Sequence, residues 1–336
     1  CGQDKTVRVW ILCTGRCERV LEGHEDDVRG VAVWGRGGRA ASCGFDKTVR
    51  VWDLDAGSCV GVMEGHTDKV FGVGMSGSGD HVVSCSWDMS VRVWDVASGR
   101  AAGPPLVPHS AALGSLHSIK SSSFIFRESG SFIPMSSLNN QGNIYSGPTS
   151  LSQDAIEHHR KTEKREILDI ALTSEGNTAI SGSVDGTVRV WDLSSGAQVA
   201  KCEGHSDWVT GVAVTPNGSL AASCGRDGSA RLWTLSGREV RKLQHTGEVM
   251  GVALAPDGSR LCCAQGKLVV VWDCNSGQNV RALSKHSGVV RGVAVSGAGD
   301  KIVSCGQDLV IMVWDMARLV HERTLEGHTG VVRRVA

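Results

Sequence analysis

Tryptophan recurs along the chain at a nearly constant interval, and this repeat constrains the fold more than any other feature. The Trp ends a short apolar run such as Val-x-Val-Trp in each case, at positions Trp10, Trp52, Trp94, Trp191, Trp233, Trp272 and Trp314. Four of the six intervals are 42 residues long, one is 39 and one is 97. A period of about 40–45 residues is typical of a four-stranded propeller blade and is too long for a leucine-rich repeat. The chain is therefore predicted to be built from similar blade-sized units.

A histidine recurs in step with the tryptophan. It follows Gly at His24, His66, His205 and His328, and it occurs without that Gly at His109, His245 and His286. From His to the next Trp the distance is 28 residues in four of the units. Three short runs rich in β-branched residues, such as Val28–Val33, lie between the two markers, and a fourth run follows the Trp. Each unit is therefore predicted to be a four-stranded antiparallel meander.

An aspartate completes the repeated pattern. It follows Trp at Asp53, Asp95, Asp192, Asp273 and Asp315, whereas Thr234 follows Trp233. This register of Trp, Asp and His covers nearly the whole chain except about 113–166, and it resembles the WD40 repeat family. The resemblance implies an all-β circular propeller of four-stranded antiparallel blades. Seven Trp markers predict seven blades, with an incomplete closing blade assembled from Val332–Ala336, Lys5–Trp10 and Cys17–Leu21.

Structural tetrads are a further implication of the resemblance. In each, a His, a Ser, the Asp of a tight turn and the Trp indole would satisfy one another's hydrogen bonds, because each group is costly to bury alone. By register, the tetrads are His24, Ser42, Asp46 and Trp52; His66, Ser84, Asp88 and Trp94; His205, Ser223, Asp227 and Trp233; and His286, Ser304, Asp308 and Trp314.

The recurring Ser, His and Asp also match the residue types of a hydrolase triad. A catalytic nucleophile is needed once, whereas this triple occurs in several units, so a structural role is favoured. The sequence contains no P-loop, G-x-S-x-G, H-E-x-x-H or Cys-x-x-Cys motif. We therefore predict no enzyme activity, no catalytic residues, no cofactor and no metal site.

Cysteine usage bears on the cellular compartment. Four of the 12 Cys directly follow a tetrad Ser, at Cys43, Cys85, Cys224 and Cys305. One repeated strand position favours small core residues, and buried free thiols behave as small hydrophobes. So many unpaired thiols favour a reducing compartment, and we predict a cytoplasmic protein, with the nucleus as the alternative.

The charge balance limits the classes of partner. The formal net charge is zero, with 35 Lys and Arg against 35 Asp and Glu. This balance argues against a surface that binds nucleic acid through bulk positive charge. No apolar run approaches the roughly 18 residues of a membrane span. We predict protein partners, with no nucleic acid, no membrane and no small-molecule substrate.

One insertion interrupts the repeat. From His109 to Trp191 there are 82 residues, which is 54 more than the usual 28. The Ser-rich stretch 113–166 lacks repeat markers, and we predict that it has low order. A functional loop, a degenerate eighth blade and translated noncoding sequence all remain open. The predicted domains are 1–112 (a partial first blade and two blades), 113–166, and 167–336 (the remaining blades, whose last strand closes with the N-terminus).

Partner-binding candidates follow from the resemblance, because WD40 proteins commonly dock partners on their top face. We use that name for the face formed by the loop after the His and the turn that carries the Asp. Register places Phe45, Trp87, Val184, Arg226 and Gln307 just before the turn Asp, and Asp27, Lys69 and Trp208 three residues after the His. Trp and Arg often dominate interface energies, so we select Phe45, Trp87, Trp208, Arg226, Lys69 and Asp27. Alternatively, Phe45 and Trp87 cover a neighbouring blade.

Two hypotheses of function follow. The first is a non-catalytic scaffold or adaptor that docks protein partners on the top face. Because the chain begins without Met and ends within a predicted strand, it is interpreted as a fragment or a module of a longer protein. The second is a substrate receptor of a cullin-type ubiquitin ligase. That class favours Trp-Asp-x-Arg, and none of the five Trp-Asp sites has Arg at the fourth place.

Overall fold

The structure, a computed structural model, describes residues 1–34, 37–106, 124–126, 132–134 and 166–336 of the 336-residue chain. The chain divides into two compact units, Cys1–Pro108 with Lys164–Ala336, and His109–Glu163. Within the described ranges, every regular element is a β-strand. His109 and most of 113–166 lie outside these ranges, so the low order of the insertion stays a prediction.

The strands pair antiparallel with their neighbours in sequence. A two-stranded sheet consists of β1 (Val7–Ile11) and β2 (Arg16–Leu21). The next two sheets consist of β3 (Val28–Val33), β4 (Arg39–Gly44), β5 (Val49–Asp53) and β6 (Ser58–Met63), and of β7 (Val70–Met75), β8 (His81–Ser86), β9 (Val91–Asp95) and β10 (Arg100–Ala101). The second unit contains a hairpin of β11 (Phe124–Phe126) and β12 (Phe132–Pro134).

Four further four-stranded sheets follow in the first unit. They consist of β13 (Ile167–Leu172), β14 (Thr178–Ser183), β15 (Val188–Asp192) and β16 (Ala197–Cys202); β17 (Val209–Val214), β18 (Ala221–Gly225), β19 (Ser229–Trp233) and β20 (Glu239–Gln244); β21 (Val249–Leu254), β22 (Arg260–Gln265), β23 (Leu268–Asp273) and β24 (Asn279–Ser284); and β25 (Val290–Val295), β26 (Lys301–Gly306), β27 (Ile311–Asp315) and β28 (Val320–Leu325). The antiparallel meander predicted for each unit is therefore confirmed in six sheets.

The prediction of seven blades is wrong, because the described residues form six four-stranded blades. A Trp marker identifies one strand, whereas a blade requires three more, and the sequence around Trp10 supplies only β1 and β2. The C-terminal residues meet the N-terminus through an isolated bridge between Gly2 and Val332 rather than through a ladder. Backbone hydrogen bonds of 3.0 and 2.9 Å flank this bridge, from Gln3 N–H to Val331 C=O and from Arg333 N–H to Cys1 C=O.

The apolar core of the propeller lies between successive sheets. In β5, Val49 and Val51 are fully buried, as expected for β-branched residues on alternate positions of a covered strand. They pack with Val70 and Trp94 of the following sheet in one cluster. The outer strand β6 is mostly exposed, and only Met63 at its end is buried. Each blade therefore buries its inner and middle strands against its neighbour and leaves its outer strand at the rim.

The inner strands line up around the propeller. Each contacts the next in the order β3, β7, β13, β17, β21 and β25. Three of their sequences are nearly interchangeable, since β3 and β25 both read VRGVAV and β17 reads VTGVAV. The small residue Gly30 is required by this packing, because a Cβ there would lie 2.7 Å from the Sγ atom of Cys43 on β4. The four Cys at this repeated strand position are all fully buried.

Candidate interaction surface

The structure brings the four residues of each predicted tetrad together. In the blade that ends at Trp52, His24 Nδ1 lies 2.7 Å from Asp46 Oδ2, and His24 Nε2 lies 2.7 Å from Ser42 Oγ. The Trp52 indole N–H donates to the same Ser42 oxygen at 2.8 Å. The other three tetrads repeat these contacts at 2.7–2.9 Å. Each tetrad thus joins two strands, the loop that carries the His and the turn that carries the Asp.

Hydrogen-bond directions in the tetrad follow from its chemistry. Because the indole can only donate, Ser42 Oγ accepts from Trp52 and its own hydroxyl proton is directed to His24 Nε2. With Nε2 as the acceptor, the Nδ1–H of His24 donates to Asp46. Ser42 is fully buried, and the His24 side chain has no exposed surface. The Ser42 hydroxyl therefore donates its only proton to another protein atom and is not accessible to solvent.

Acid–base equilibria in the tetrads are shifted accordingly. Burial opposes ionisation of Asp46, but hydrogen bonds from His24 and from turn amides lower its pKa to about 2. Burial also lowers the pKa of His205, against the attraction of Asp227. A base whose pKa is lowered in the folded state contributes stability above its usual pKa and loses that contribution as the pH falls. The pKa of Asp227 is lowered as well, so in the tetrad of His205 and Asp227 the folded state favours an ionised Asp beside a neutral His.

Two blades depart from the regular tetrad. In the blade that ends at Trp272, Cys263 occupies the Ser position, and His245 Nδ1 meets Gln265 Oε1 at 3.0 Å instead of an Asp. Within the described chain, His245 Nε2 and Trp272 Nε1 are both buried without a hydrogen-bond partner. In the blade that ends at Trp191, the indole donates to Ser181 Oγ at 2.9 Å, and the register-matched His109 lies outside the described residues.

The six partner-binding candidates form three backbone-bonded pairs on the top face. One residue of each pair lies three positions after the His, and the other lies just before the turn Asp. The N–H groups of Phe45, Trp87 and Arg226 donate to the C=O groups of Asp27, Lys69 and Trp208, at 2.9, 3.0 and 3.0 Å. The residue three positions after the His and the residue just before the turn Asp are therefore hydrogen-bonded to each other in each of these three blades.

Aromatic rings and cations alternate on this face. Phe71 stacks on Trp87 with ring centroids 4.8 Å apart, and it lies 5.3 Å from Phe45. Lys69 Nζ lies 4.3 Å from the Phe45 centroid and 5.5 Å from that of Trp87. Arg29 Cζ lies 4.9 Å from the Phe45 centroid and 4.7 Å from that of Phe71. Phe45 and Trp87 are half-buried, and Phe45 contacts the neighbouring blade through Phe71.

A separate pair completes the aromatic and cationic set. Arg226 Cζ lies 4.0 Å from the centroid of the Trp208 indole. Guanidinium groups are attracted to aromatic faces at such distances, so both side chains are held in place.

These side chains surround a cavity of about 330 Å³, which we call the mouth pocket. Its lining residues are Arg29, Phe45, Lys69, Phe71, Trp87, Leu168, Trp208, Thr210, Arg226, Met250, Arg291, Arg333 and Arg334. Five of the six candidates are among them. The sixth, Asp27, contacts the lining through Arg333, at 3.6 Å between Oδ2 and Nη2.

The remaining lining residues were not predicted from the sequence. Six of them occupy one register position, the residue after the first buried aliphatic residue of an inner strand: Arg29, Phe71, Leu168, Thr210, Met250 and Arg291. Arg333 has the equivalent position after the bridging residue Val332. The repeated Val-x-Gly run of the inner strands marks this position and could have identified it.

The next register position is Gly in five of the six inner strands, and the exception is Asp169 in β13. Arg334 occupies the equivalent position in the C-terminal residues. These two side chains form an ion pair, with 2.9 Å between Asp169 Oδ2 and Arg334 Nη2. Asp169 also accepts a hydrogen bond of 2.9 Å from the Val212 N–H, and it faces Gly182 across the sheet. The ion pair therefore links β13 to the C-terminal residues.

All 12 Cys are free in the structure. Burial raises the pKa of the Cys224 and Cys305 thiols to about 12. In the described ranges, no group of three or more His, Cys, Asp or Glu is arranged to hold a metal ion.

The described part of the chain contains no helix long and apolar enough to cross a lipid bilayer.

A family model described as "WD domain, G-beta repeat" matches residues 15–53, 57–95, 152–192, 196–234, 237–273 and 277–315, more than half of the chain. The chain is 28% identical over 138 residues to U3 small nucleolar RNA-associated protein 15 homolog of Xenopus laevis, covering 40% of this chain and 27% of that protein. It is 39% identical over 131 residues to U3 small nucleolar RNA-associated protein 15 of Schizosaccharomyces pombe, covering 38% of this chain and 26% of that protein. It is 26% identical over 179 residues to Small ribosomal subunit protein RACK1 of Drosophila melanogaster, covering 39% of this chain and 56% of that protein. The chain thus spans from about a quarter to just over half of the length of these relatives.

Proposed function

Because the chain belongs to the WD domain, G-beta repeat family, we propose that it is a non-catalytic scaffold or adaptor that docks protein partners on its top face. The observation that carries this proposal is the convergence of three backbone-bonded pairs, in three blades, on the mouth pocket. Trp and Arg dominate the energetics of many protein interfaces, and here they lie side by side in one concave surface.

The tetrads support a non-catalytic role. A hydrolase requires a nucleophile that a substrate can reach, whereas Ser42, Ser84, Ser223 and Ser304 are all fully buried. Their hydroxyl groups are also bonded to both a His and a Trp, so they stabilise the blade rather than activate a nucleophile.

The relatives support a place within a larger assembly. One group is named for association with the U3 small nucleolar RNA, and another is named as a small ribosomal subunit protein. Since the chain covers only part of these proteins, their partners are proposed here only as a class: proteins within a ribonucleoprotein assembly. The cytoplasm, with the nucleus as the alternative, stays the proposed location. The second hypothesis, a cullin-type substrate receptor, gains no specific support from the mouth pocket.

Proximity labelling in cells tests the docking proposal. A biotin ligase fused to the chain should label partners, and the double variant Trp208→Ala with Arg226→Ala should reduce that labelling about fivefold or more, because interface hot spots contribute over 1 kcal/mol each. Val199→Ala is the matched control, since Val199 is 61% exposed on the outer strand β16. It should leave the labelled set unchanged.

Folding must be kept apart from docking in this experiment. Circular dichroism and thermal melting of the purified variants establish that both are folded before they are compared. If the folded top-face variant labels the same proteins at the same level as the wild type, docking on this face is refuted.

A further inference from the structure

We infer that the mouth pocket binds an acidic peptide segment, whose phosphorylated or carboxylate side chain enters between the arginine side chains of the pocket. This inference rests on the proposed docking function and specifies its ligand. A phosphorylated Ser or Thr and an Asp or Glu share the required chemistry, which is a compact anion that accepts several hydrogen bonds. Arg clusters recognise such groups in peptides through charge-assisted, often bidentate bonds.

The pocket carries an excess of positive charge. Its lining includes six basic residues, Arg29, Lys69, Arg226, Arg291, Arg333 and Arg334, and contains no Asp or Glu. The whole chain has a net charge of zero, so this excess is local. A concave site lined by one sign of charge concentrates ligands of the opposite sign. The pocket therefore selects an anion.

Internal partners neutralise only part of this charge. Arg333 lies 3.6 Å from Asp27, and Arg334 lies 2.9 Å from Asp169. Arg29, Lys69, Arg226 and Arg291 make no ion pair within 4 Å in the part of the chain that the structure describes. Four cations are thus left for a ligand.

The surroundings of these cations are unfavourable without an anion. Burial, together with the charges of Arg333 and Arg334, lowers the pKa of Arg29 to about 9. Burial and the charge of Arg333 also lower the pKa of Arg291. Both pKa values fall chiefly because burial removes water from the guanidinium groups, and repulsion from the neighbouring cations adds to this effect. A bound anion would relieve that repulsion.

The aromatic rings orient the cations and leave little room for other ligands. Lys69 lies over Phe45, Arg29 lies over Phe45 and Phe71, and Arg226 lies over Trp208. A cationic ligand would have to displace these groups. Proteins that bind single-stranded RNA stack its bases on aromatic side chains along an extended groove. Here Phe71 and Trp87 stack on each other, so the faces between the two rings are not available to a nucleic-acid base. A pocket of about 330 Å³ has room for one or two side chains of a bound peptide.

Three matched peptide libraries test the inference. Each is a fluorescein-labelled nine-residue peptide pool with a fixed central residue, phosphoserine, Glu or Ser, and degenerate neutral flanks. Fluorescence anisotropy with the full chain at 150 mM salt should give a Kd at least about tenfold lower for the phosphoserine pool than for the Ser pool. A lower Kd for the Glu pool as well would show that a carboxylate suffices. Equal binding of all three pools would overturn the inference.

Charge variants locate the binding. Arg226→Gln and Arg291→Gln should each raise the Kd of the phosphoserine pool about tenfold, since each removes one charged donor. Arg281→Gln is the matched control, because Arg281 is an exposed Arg on the outer strand β24, away from the pocket lining. Equal losses in all three variants would indicate nonspecific charge attraction and would refute a site. Arg226 is exposed, so its replacement tests the pocket even if Arg291→Gln fails to fold.

Two further outcomes separate this inference from the docking proposal. A nine-nucleotide single-stranded RNA that binds more tightly than the phosphoserine pool and displaces it would overturn the peptide assignment. If the cellular labelling depends on Trp208 and Arg226 but the three pools bind equally, the docking proposal stands and the acidic-peptide inference fails. If the labelling is the same in the top-face variant and the wild type although the phosphoserine pool binds, the docking proposal fails instead.

Discussion

Replacing Cys263 by Ser should stabilise the blade that ends at Trp272. Cys263 faces Val252 across the sheet, as Ser42 faces Val31 in a regular blade, so the new hydroxyl would take the tetrad position. In the described chain, His245 Nε2 and Trp272 Nε1 are buried without a partner, whereas in regular blades one Ser oxygen meets both corresponding groups at 2.7–2.8 Å.

The expected gain can be worked from these contacts. Two neutral hydrogen bonds contribute about 1–3 kcal/mol together. Replacing a fully buried thiol, which behaves as a small hydrophobe, by a hydroxyl offsets roughly 1 kcal/mol of this. Cys263→Ser should therefore raise the local stability by up to about 2 kcal/mol. The reverse change in a regular blade, Ser223→Cys, should lower it by about 1–3 kcal/mol.

Native-state hydrogen exchange is the appropriate assay, because a propeller of separate blades need not unfold in one step. Amides of β22 and β23 should exchange more slowly in Cys263→Ser than in the wild type, by up to about 30 times, by the conversion of free energy to a rate ratio. Amides of β18 and β19 report on Ser223→Cys in the same way. If Cys263→Ser accelerates exchange in β22 and β23, the hydrogen bonds of the tetrad do not determine blade stability.

Three further predictions use the same geometry. Trp272→Phe should lower the urea midpoint less than Trp52→Phe, since the Trp272 N–H has no partner in the described chain to lose; equal shifts would contradict this. The pKa of Asp46 is lowered to about 2 from 3.8, so its contribution to stability is complete above pH 4 and is lost toward pH 2. The stability difference between the wild type and Asp46→Asn should therefore shrink over that range in urea titrations, and a constant difference would refute the assignment. Iodoacetamide should label the exposed Cys59 well before the buried Cys224 in the native protein, as read by mass spectrometry; similar rates would show that the core opens readily.

The repeat units could be predicted from the sequence because their markers have fixed local roles. A Trp that donates to a Ser ten residues earlier, and a His that meets an Asp 22 residues later, require constant spacing in the chain. The same constant spacing from the His and from the turn Asp predicted the paired loop residues of the top face. The blade count could not be read this way, since the marker at Trp10 identifies one strand and does not ensure four.

The mouth pocket could be predicted only in part. Its loop residues follow from register, but Arg29 and Arg291 lie on inner strands, where alternation alone does not reveal which residue lines the mouth pocket. The ion pair of Asp169 and Arg334 joins residues that are far apart in sequence and share no motif. Only the closure of the strands around the channel brings them together.

The near identity of the inner strands has a consequence for how this protein reaches its native state. Since β3 and β25 have the same six residues, either could dock beside β7 with similar local contacts. Correct order then depends on chain connectivity, because a neighbour in sequence finds its place faster than a distant copy. Such chains are exposed to misassembly between units and to exchange of blades between molecules at high concentration. The side chains that break the repeat, Asp169 and Arg334, are therefore suited to distinguish the native arrangement of blades from a permuted one.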